Sequence, residues 1–293
     1  MGSLMGIANA PPKLFWIATK AVRRIPLVGK YYGRRQIERI YELAEKAAKH
    51  DFPFKALASG WATQDCLSDE SYKSITSELV KIDRMVGSTI TGSTQALHWS
   101  RRYEYPYAVM NMQASKSSKR LKMLDCGSGA GPLQFYLAMN GYDVYSLDLD
   151  FRALEKVAEF KSANKLETLY PTYGDILDLP FPDGYFDRVF SISVLEHVVY
   201  PLKGDTSVIL KGFVNELLRV LKLGGLVVLT FDVNMSPQKS AHRLYYSEYE
   251  SLCGILGISP EPLPQNRLYS SDTEEGQVMG EDLCVYCAVL ERR

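Results

Sequence analysis

No run of eighteen apolar residues occurs in this chain of 293 residues, so no membrane-spanning helix is expected. An excess of charge of either sign is also missing, because 34 Lys and Arg balance 34 Asp and Glu. A dominant nucleic-acid footprint would need a basic domain, and neutrality argues against one while leaving room for a local patch. Cysteine is sparse: Cys66, Cys126, Cys253, Cys284 and Cys287 are odd in number and loosely spaced, which fits a reducing compartment. Cys284-Val-Tyr-Cys287 lies in a strand-like run, where an offset of three puts the sulfurs on opposite faces, so a shared metal or a disulfide is not expected. No His, Cys and Asp group has metal-ligand spacing. A secretory signal is not visible either, since Lys20, Arg23 and Arg24 break the early apolar segment.

What is present begins at Leu121-Lys-Met-Leu-Asp125-Cys-Gly127-Ser-Gly129-Ala-Gly131-Pro132. An apolar run ends in an acid, and three glycines follow at alternate positions. Glycine lets the backbone turn tightly and approach a ligand, and the next helix offers free N–H groups. The dinucleotide pattern G-x-G-x-x-G is not met, because the third glycine comes one residue early and Pro132 takes the last position. Gly141-Tyr-Asp-Val-Tyr-Ser-Leu-Asp148 reads as a second strand ending in an acid placed to accept from ribose hydroxyls. Three further runs follow: Tyr173-Gly-Asp175-Ile176, then Leu179-Pro-Phe-Pro-Asp-Gly-Tyr-Phe-Asp187 leading to Val194-Leu-Glu196-His197, then Arg219-Val-Leu-Lys-Leu-Gly-Gly225.

Together these runs resemble the class I S-adenosylmethionine-dependent methyltransferases, nearest to the small-molecule enzymes of ubiquinone and menaquinone biosynthesis. The likeness covers roughly Lys119 to the C-terminus. It implies a Rossmann-like, doubly wound, seven-stranded α/β sheet, mostly parallel with an antiparallel last strand. A helical N-terminal extension over residues 1–115 would precede an S-adenosylmethionine-binding domain over 116–293. Strands are expected near 122–126, 143–148, 168–172, 185–192, 226–232, 262–269 and 283–290. Helices are expected near 132–140, 151–163, 208–221 and 247–256.

The resemblance also implies site roles. Asp125, Gly127 and Gly129 would frame the methionine end of the cofactor, and Asp148 would hold the ribose. Asp175 would accept from the adenine amino group with the Ile176 backbone at the ring edge, while Leu149 and Ile192 pack along the adenosine and methionine portions. Asp148 and Asp175 could instead cap helices or form turns, but their motif positions favour the ligand role. Upstream, Trp99-Ser-Arg-Arg-Tyr-Glu-Tyr-Pro-Tyr107 would fold over the cofactor. Arg101 or Arg102 could meet the methionine carboxylate, and Tyr103, Tyr105 and Tyr107 could pack on the cofactor or an apolar substrate; the alternative is an aromatic cluster that only docks this arm. His197 is the candidate general base, at the end of the fourth strand of the domain and facing the pocket, against a framework role. Asp232 and His242 are lesser candidates.

The reaction expected is in-line methyl transfer from S-adenosylmethionine to a small-molecule or lipid-like acceptor. An RNA or protein methyltransferase is disfavoured by neutral charge and the missing N-P-P-Y tetrapeptide, and a non-catalytic module by the intact loop and acids. The location expected is cytoplasmic. Peripheral membrane contact is a further option, because Pro11–Arg39 carries eight Lys or Arg among Leu14-Phe-Trp-Ile17 and Leu27-Val28; a terminal helix with solvated cations is the competing reading. If the segment binds lipid, the intact chain floats with anionic vesicles. Its absence from the floated fraction would remove that option.

Overall fold

The computed structural model describes residues 26–87, 97–112, 120–199, 206–235, 244–268, 270 and 282–293, with side chains from 36 onward. Most of the basic segment at 11–39, most of the linker expected at 116–122, His242 with most of its loop, and the turn expected at 270–280 lie outside the described residues. Two compact units are present, Met1–Glu42 and Leu43–Arg293. Helix α1 (Pro26–Ala48) begins in the first and ends in the second, which carries everything that follows. Among the described residues no helix is long and apolar enough to cross a membrane.

The strands are β1 (Phe54–Trp61), β2 (Lys122–Cys126), β3 (Asp143–Asp148), β4 (Leu169–Tyr173), β5 (Phe186–Ile192), β6 (Leu221–Asn234), β7 (Leu244–Tyr245) and β8 (Leu283–Arg292). Seven lie in the order β1-β8-β6-β5-β2-β3-β4, with β7 paired to the end of β6. β8 runs antiparallel to both β6 and β1, while β2 through β6 are mutually parallel. The helices after α1 are α2 (Glu70–Val86), α3 (Arg101–Asn111), α4 (Pro132–Met139), α5 (Phe151–Ala163), α6 (Leu195–Val199), α7 (Ser207–Val220) and α8 (Tyr246–Ile255). A strand buried on both faces reads as a continuous apolar run, which is why Leu226-Val-Val-Leu229 in β6 shows no apolar–polar alternation. The result is the expected Rossmann-like sheet. Local chemistry sets the helix ends: Asp69 caps α2 by accepting from Ser71 N and Tyr72 N, Asp150 caps α5 through Arg152 N, and Pro132 sits at the first turn of α4.

One expected strand is not formed. Residues 262–268 are irregular, with a single bridge between Arg267 and Thr63. Pro260, Pro262 and Pro264 remove every second N–H donor that a ladder would need. The sheet position beside β8 is filled from the other end of the chain, by β1. The segment 1–115 is therefore not helical throughout: part of it belongs to the sheet. β1 shifts register between Ala56 and Ala58, a bulge that breaks the alternation by which a strand is read. Its last residue, Trp61, is buried, with ring centroids 4.7 Å from Tyr249 and 5.0 Å from Tyr286. Trp61→Ala is expected to cost about 3–5 kcal/mol in urea denaturation. A loss below about 1 kcal/mol would mean that β1 is peripheral to the core.

Candidate cofactor and acceptor site

The chain runs from β2 to β3 and β4 on one side, then returns to β5 on the other side of β2. Such a switch point is where parallel α/β sheets bind ligands, outside the carboxyl ends of the strands. The glycine loop leaves β2 at this place. Gly127 and Gly129 have φ values of 68° and 53°, left-handed conformations that side chains rarely adopt. A Cβ on Gly127 would meet Val194 Cγ2 at 2.6 Å, whereas one on Gly129 would meet nothing within 4 Å. One glycine is thus required by packing, and the other presents bare backbone to open space.

Asp148 ends β3 beside this loop. Its Oδ2 accepts from Gly129 N at 2.8 Å and its Oδ1 from Asp150 N at 2.7 Å. Each carboxylate oxygen has room for a second donor, so the group can still take two hydroxyls at once. Leu149, next in sequence, is an exposed apolar side chain. Gly174 N donates to the Asp148 carbonyl, which brings the end of β4 alongside. Asp175 Oδ1 accepts from Leu177 N at 3.0 Å in a tight turn, Ile176 is buried, and Ile192 is buried at the end of β5. Asp125, Gly127, Gly129, Asp148, Leu149, Asp175, Ile176 and Ile192 are therefore gathered at one end of four adjacent strands.

Asp125 is buried, and burial pushes its carboxyl up to about 7, with the Asp148 charge adding and Arg101 opposing. Such a group is costly when ionised unless a cation joins it. S-adenosylmethionine brings two cations, an ammonium and a sulfonium, together with a vicinal diol and an adenine amino group. Bare backbone at Gly129, a diol acceptor at Asp148 and a cation-hungry carboxyl at Asp125 fit those groups.

The arm before the loop divides in two. Tyr103 stacks on Tyr72 and Tyr107, at centroid distances of 5.5 and 5.8 Å, and joins a buried cluster with Trp99, Leu283, Val285 and Cys287. That half docks the arm. The other half meets the strand ends. Tyr105 reaches the glycine loop, where a Cβ on Gly131 would come within 2.5 Å of its hydroxyl. Arg101, not Arg102, enters the sheet end: its guanidinium pairs with Glu104 and donates to Ser193 Oγ at 2.6 Å. Arg102 makes none of these contacts, and its carbonyl accepts from Thr76 Oγ1. One residue turns a helix by about 100°, which separates the two guanidiniums. Glu104 also accepts from Ser193 Oγ at 2.6 Å and Thr230 Oγ1 at 2.5 Å. Burial would raise its pKa, but Arg101 and the two hydroxyls hold it below the usual carboxylate range. Ser193 has φ 48°, a left-handed conformation costly for a non-glycine residue, and these hydrogen bonds hold it there.

His197 lies on α6 with an exposed side chain. Its neighbour Glu196 is fully buried, and neither carboxyl oxygen has a side-chain hydrogen-bond partner among the described residues. Burial pushes that carboxyl well above the usual range, with Asp232 and Glu104 adding and its own backbone N–H and Arg101 opposing. The sequence pattern does not single out Glu104, Ser193 or Thr230. Glu104 sits in a run that reads as aromatic, and only the helix phase shows which side it takes. Cys126 is buried with its thiol pushed well up, which excludes a nucleophile, and all five cysteines are free.

A cavity of about 380 Å³ lies apart from this site, between the end of α1, the turn after Asp175, and α7. There Arg219 pairs with Glu216 and Asp183 and donates to the carbonyls of Leu179 and Phe181. Those bonds clamp the Leu179–Asp183 turn and so fix the approach to Asp175.

A family model described as a methyltransferase domain matches residues 124–229. Residues 124–229 are a methyltransferase domain. The methyl donor of this class is S-adenosylmethionine. The domain is similar to norajmaline N-methyltransferase of Rauvolfia serpentina, with 28% identity over 177 residues, covering 59% of this chain and 57% of that one. It is 34% identical over 114 residues to 2-methyl-6-phytyl-1,4-hydroquinone methyltransferase 2 of Oryza sativa subsp. japonica, covering 38% of this chain and 29% of the relative. The chain thus spans between about a third and just over half the length of these relatives. In fold, the chain is similar to the [4+2]-cyclase SpnF, with a TM-score of 0.52 and 14% identity, covering 80% of this chain and 97% of that one.

Gly131→Ala drives a methyl group into the Tyr105 hydroxyl and is expected to cost about 1–3 kcal/mol in thermal or urea unfolding. Adding Tyr105→Phe removes the clashing oxygen and should restore at least half of the loss; no recovery would place Tyr105 elsewhere. For Asp125, the unfolded chain ionises near 3.8 while the folded chain keeps the proton to about 7. Folding is therefore penalised as pH rises through that window and fully so above it. Asp125→Asn should stabilise the ligand-free protein at pH 8 by roughly 2–4 kcal/mol and much less at pH 4. Equal effects at both pH values would contradict the assignment.

Proposed function

We propose that this chain is an S-adenosylmethionine-dependent methyltransferase of small-molecule acceptors. The observation that carries the reading is the convergence of Asp125, Gly129 and Asp148 on one open space at the switch point. When bound, S-adenosylmethionine supplies an electrophilic methyl group: an acceptor lone pair bonds to the carbon as the carbon–sulfur pair leaves with sulfur.

The residues have separable tasks. Asp148 would hold the two ribose hydroxyls, and Asp175 with the Ile176 backbone would take the adenine edge. Leu149 and Ile192 would contact the flat and aliphatic portions. Asp125 and the Gly127–Gly129 backbone would hold the amino-acid end, where Tyr105 closes the loop from above. Arg101 is committed to Glu104, so it would shape the pocket rather than clasp the methionine carboxylate. Much of the rate would come from proximity and alignment, because sulfonium is already a good leaving group. His197, exposed on α6, is not given the base role.

A small-molecule acceptor is supported by the balanced charge and by the relatives, whose names carry norajmaline and a phytyl hydroquinone. Calorimetric titration with S-adenosylhomocysteine tests the reading. The wild-type protein should bind, and Asp148→Ala should bind about 30-fold more weakly or worse, as expected from losing two charge-assisted hydrogen bonds. A folded wild-type protein that does not bind would overturn it.

A further inference from the structure

A buried polar stripe lies beside the site. β6 turns Thr230, Asp232 and Asn234 to one face at every second position, and all three are buried. β5 pairs Ile192 with Thr230, and Ser193 N donates to the Thr230 carbonyl, so the chain enters α6 directly beside this stripe. α6 packs on β6 and delivers Glu196 there. The charged groups that act most on Glu196 are Asp232 from β6 and Glu104 and Arg101 from α3. Arg101, the one cation of that set, is paired with Glu104, which leaves Glu196 without a cation of its own within it. Glu196 is fully buried, and neither oxygen has a side-chain hydrogen-bond partner among the described residues; its own backbone N–H is the one hydrogen-bond donor that acts on it. A buried carboxyl group without a side-chain partner is costly in a folded protein and leaves room for a ligand that supplies one.

The strand next to this stripe is apolar at the same level. Val285 and Cys287 of β8 stand directly across from Asp232 and Thr230, on the same face of the sheet. They belong to the cluster that includes Trp99 and Tyr103. A ligand here meets acid and apolar surface side by side.

We propose that the acceptor is an amine on an apolar ring framework, its ammonium received by Glu196 beside Asp232. This rests on the methyltransferase reading above and specifies its acceptor. An ammonium satisfies the buried Glu196 carboxyl and is held where the methyl group would be delivered. Each of two acids in a dry site disfavours the charge of the other, and an ammonium beside them reverses this, so its entry releases the Glu196 proton to solvent and leaves a carboxylate. The carboxylate then takes a proton from the ammonium: an N–H bond breaks, an O–H bond forms, and the lone pair freed on nitrogen becomes the nucleophile. Methylation leaves a charged tertiary amine, which departs with its remaining proton. A carboxyl with raised basicity suits this transfer better than an ordinary surface acid. A neutral phenol or enol would bring no cation to the pair.

The test compares charge at constant shape. The full-length protein, saturated with S-adenosylhomocysteine, is titrated with tetrahydroisoquinoline and with isochroman, its ring-oxygen isostere. Tetrahydro-β-carboline and its pyranoindole isostere form a second pair. The amine of each pair should bind about tenfold or more tightly than the ether, and Glu196→Gln should bring the ratio toward one. Labelled S-adenosylmethionine should give the N-methyl product of the better-bound amine. Equal binding of amine and ether by wild-type protein that binds S-adenosylhomocysteine overturns the amine acceptor and leaves the methyltransferase reading standing. Failure to bind S-adenosylhomocysteine removes both. The wild-type comparison decides the matter even if Glu196→Gln does not fold.

Discussion

Three consecutive backbone donors fix the glycine loop on the end of β3. Gly127 N and Ser128 N donate to the Leu147 carbonyl at 2.8 and 3.1 Å, and Gly129 N donates to the Asp148 carboxylate at 2.8 Å. This small ladder holds two left-handed glycines in place and aims the Asp148 side chain. Without it, the loop would not leave bare backbone facing open space, and Asp148 and Asp125 would not be near enough to influence each other. The rest of the site is arranged around that turn. Gly174 N extends the same line to β4, and Val194 packs against Gly127 from the side of β5.

The arm that precedes the loop completes the site by a different physical device. Glu104 is a buried carboxylate that gathers Arg101, Ser193 and Thr230, and so joins α3 to the ends of β5 and β6. Breaking such a network from one side leaves a charge without compensation in a dry interior, which is strongly destabilising. The network fixes position, and it commits Arg101 to Glu104.

Much of the sheet and the cofactor side could be read from the chain, because their signals are local. Apolar runs marked β2, β3, β5 and β8, and glycine spacing marked the loop. The acids at 125, 148 and 175 each lie at or just after the end of a strand. β1 was hidden by its bulge and by its distance in sequence from its partner β8. The segment at 262–269 looked like a strand by composition, although its alternating prolines forbid a ladder. The choice between Arg101 and Arg102, and between Glu196 and His197, depends on helix phase. A shift of one residue rotates a side chain by about 100°, and residue type alone does not report that angle. Ser193 and Thr230 owe their importance to Glu104, a contact across 89 and 126 residues that no local pattern encodes.

The carboxyl ends of β2, β3 and β4 are the proposed seat of the methyl donor, and a crystal structure of the protein soaked with S-adenosylhomocysteine tests this most directly. Both ribose hydroxyls should lie on Asp148, the amino-acid end over Gly129 toward Asp125, and the adenine beside Asp175. Density for the ligand at any other part of the sheet, or with its ribose away from Asp148, would contradict it.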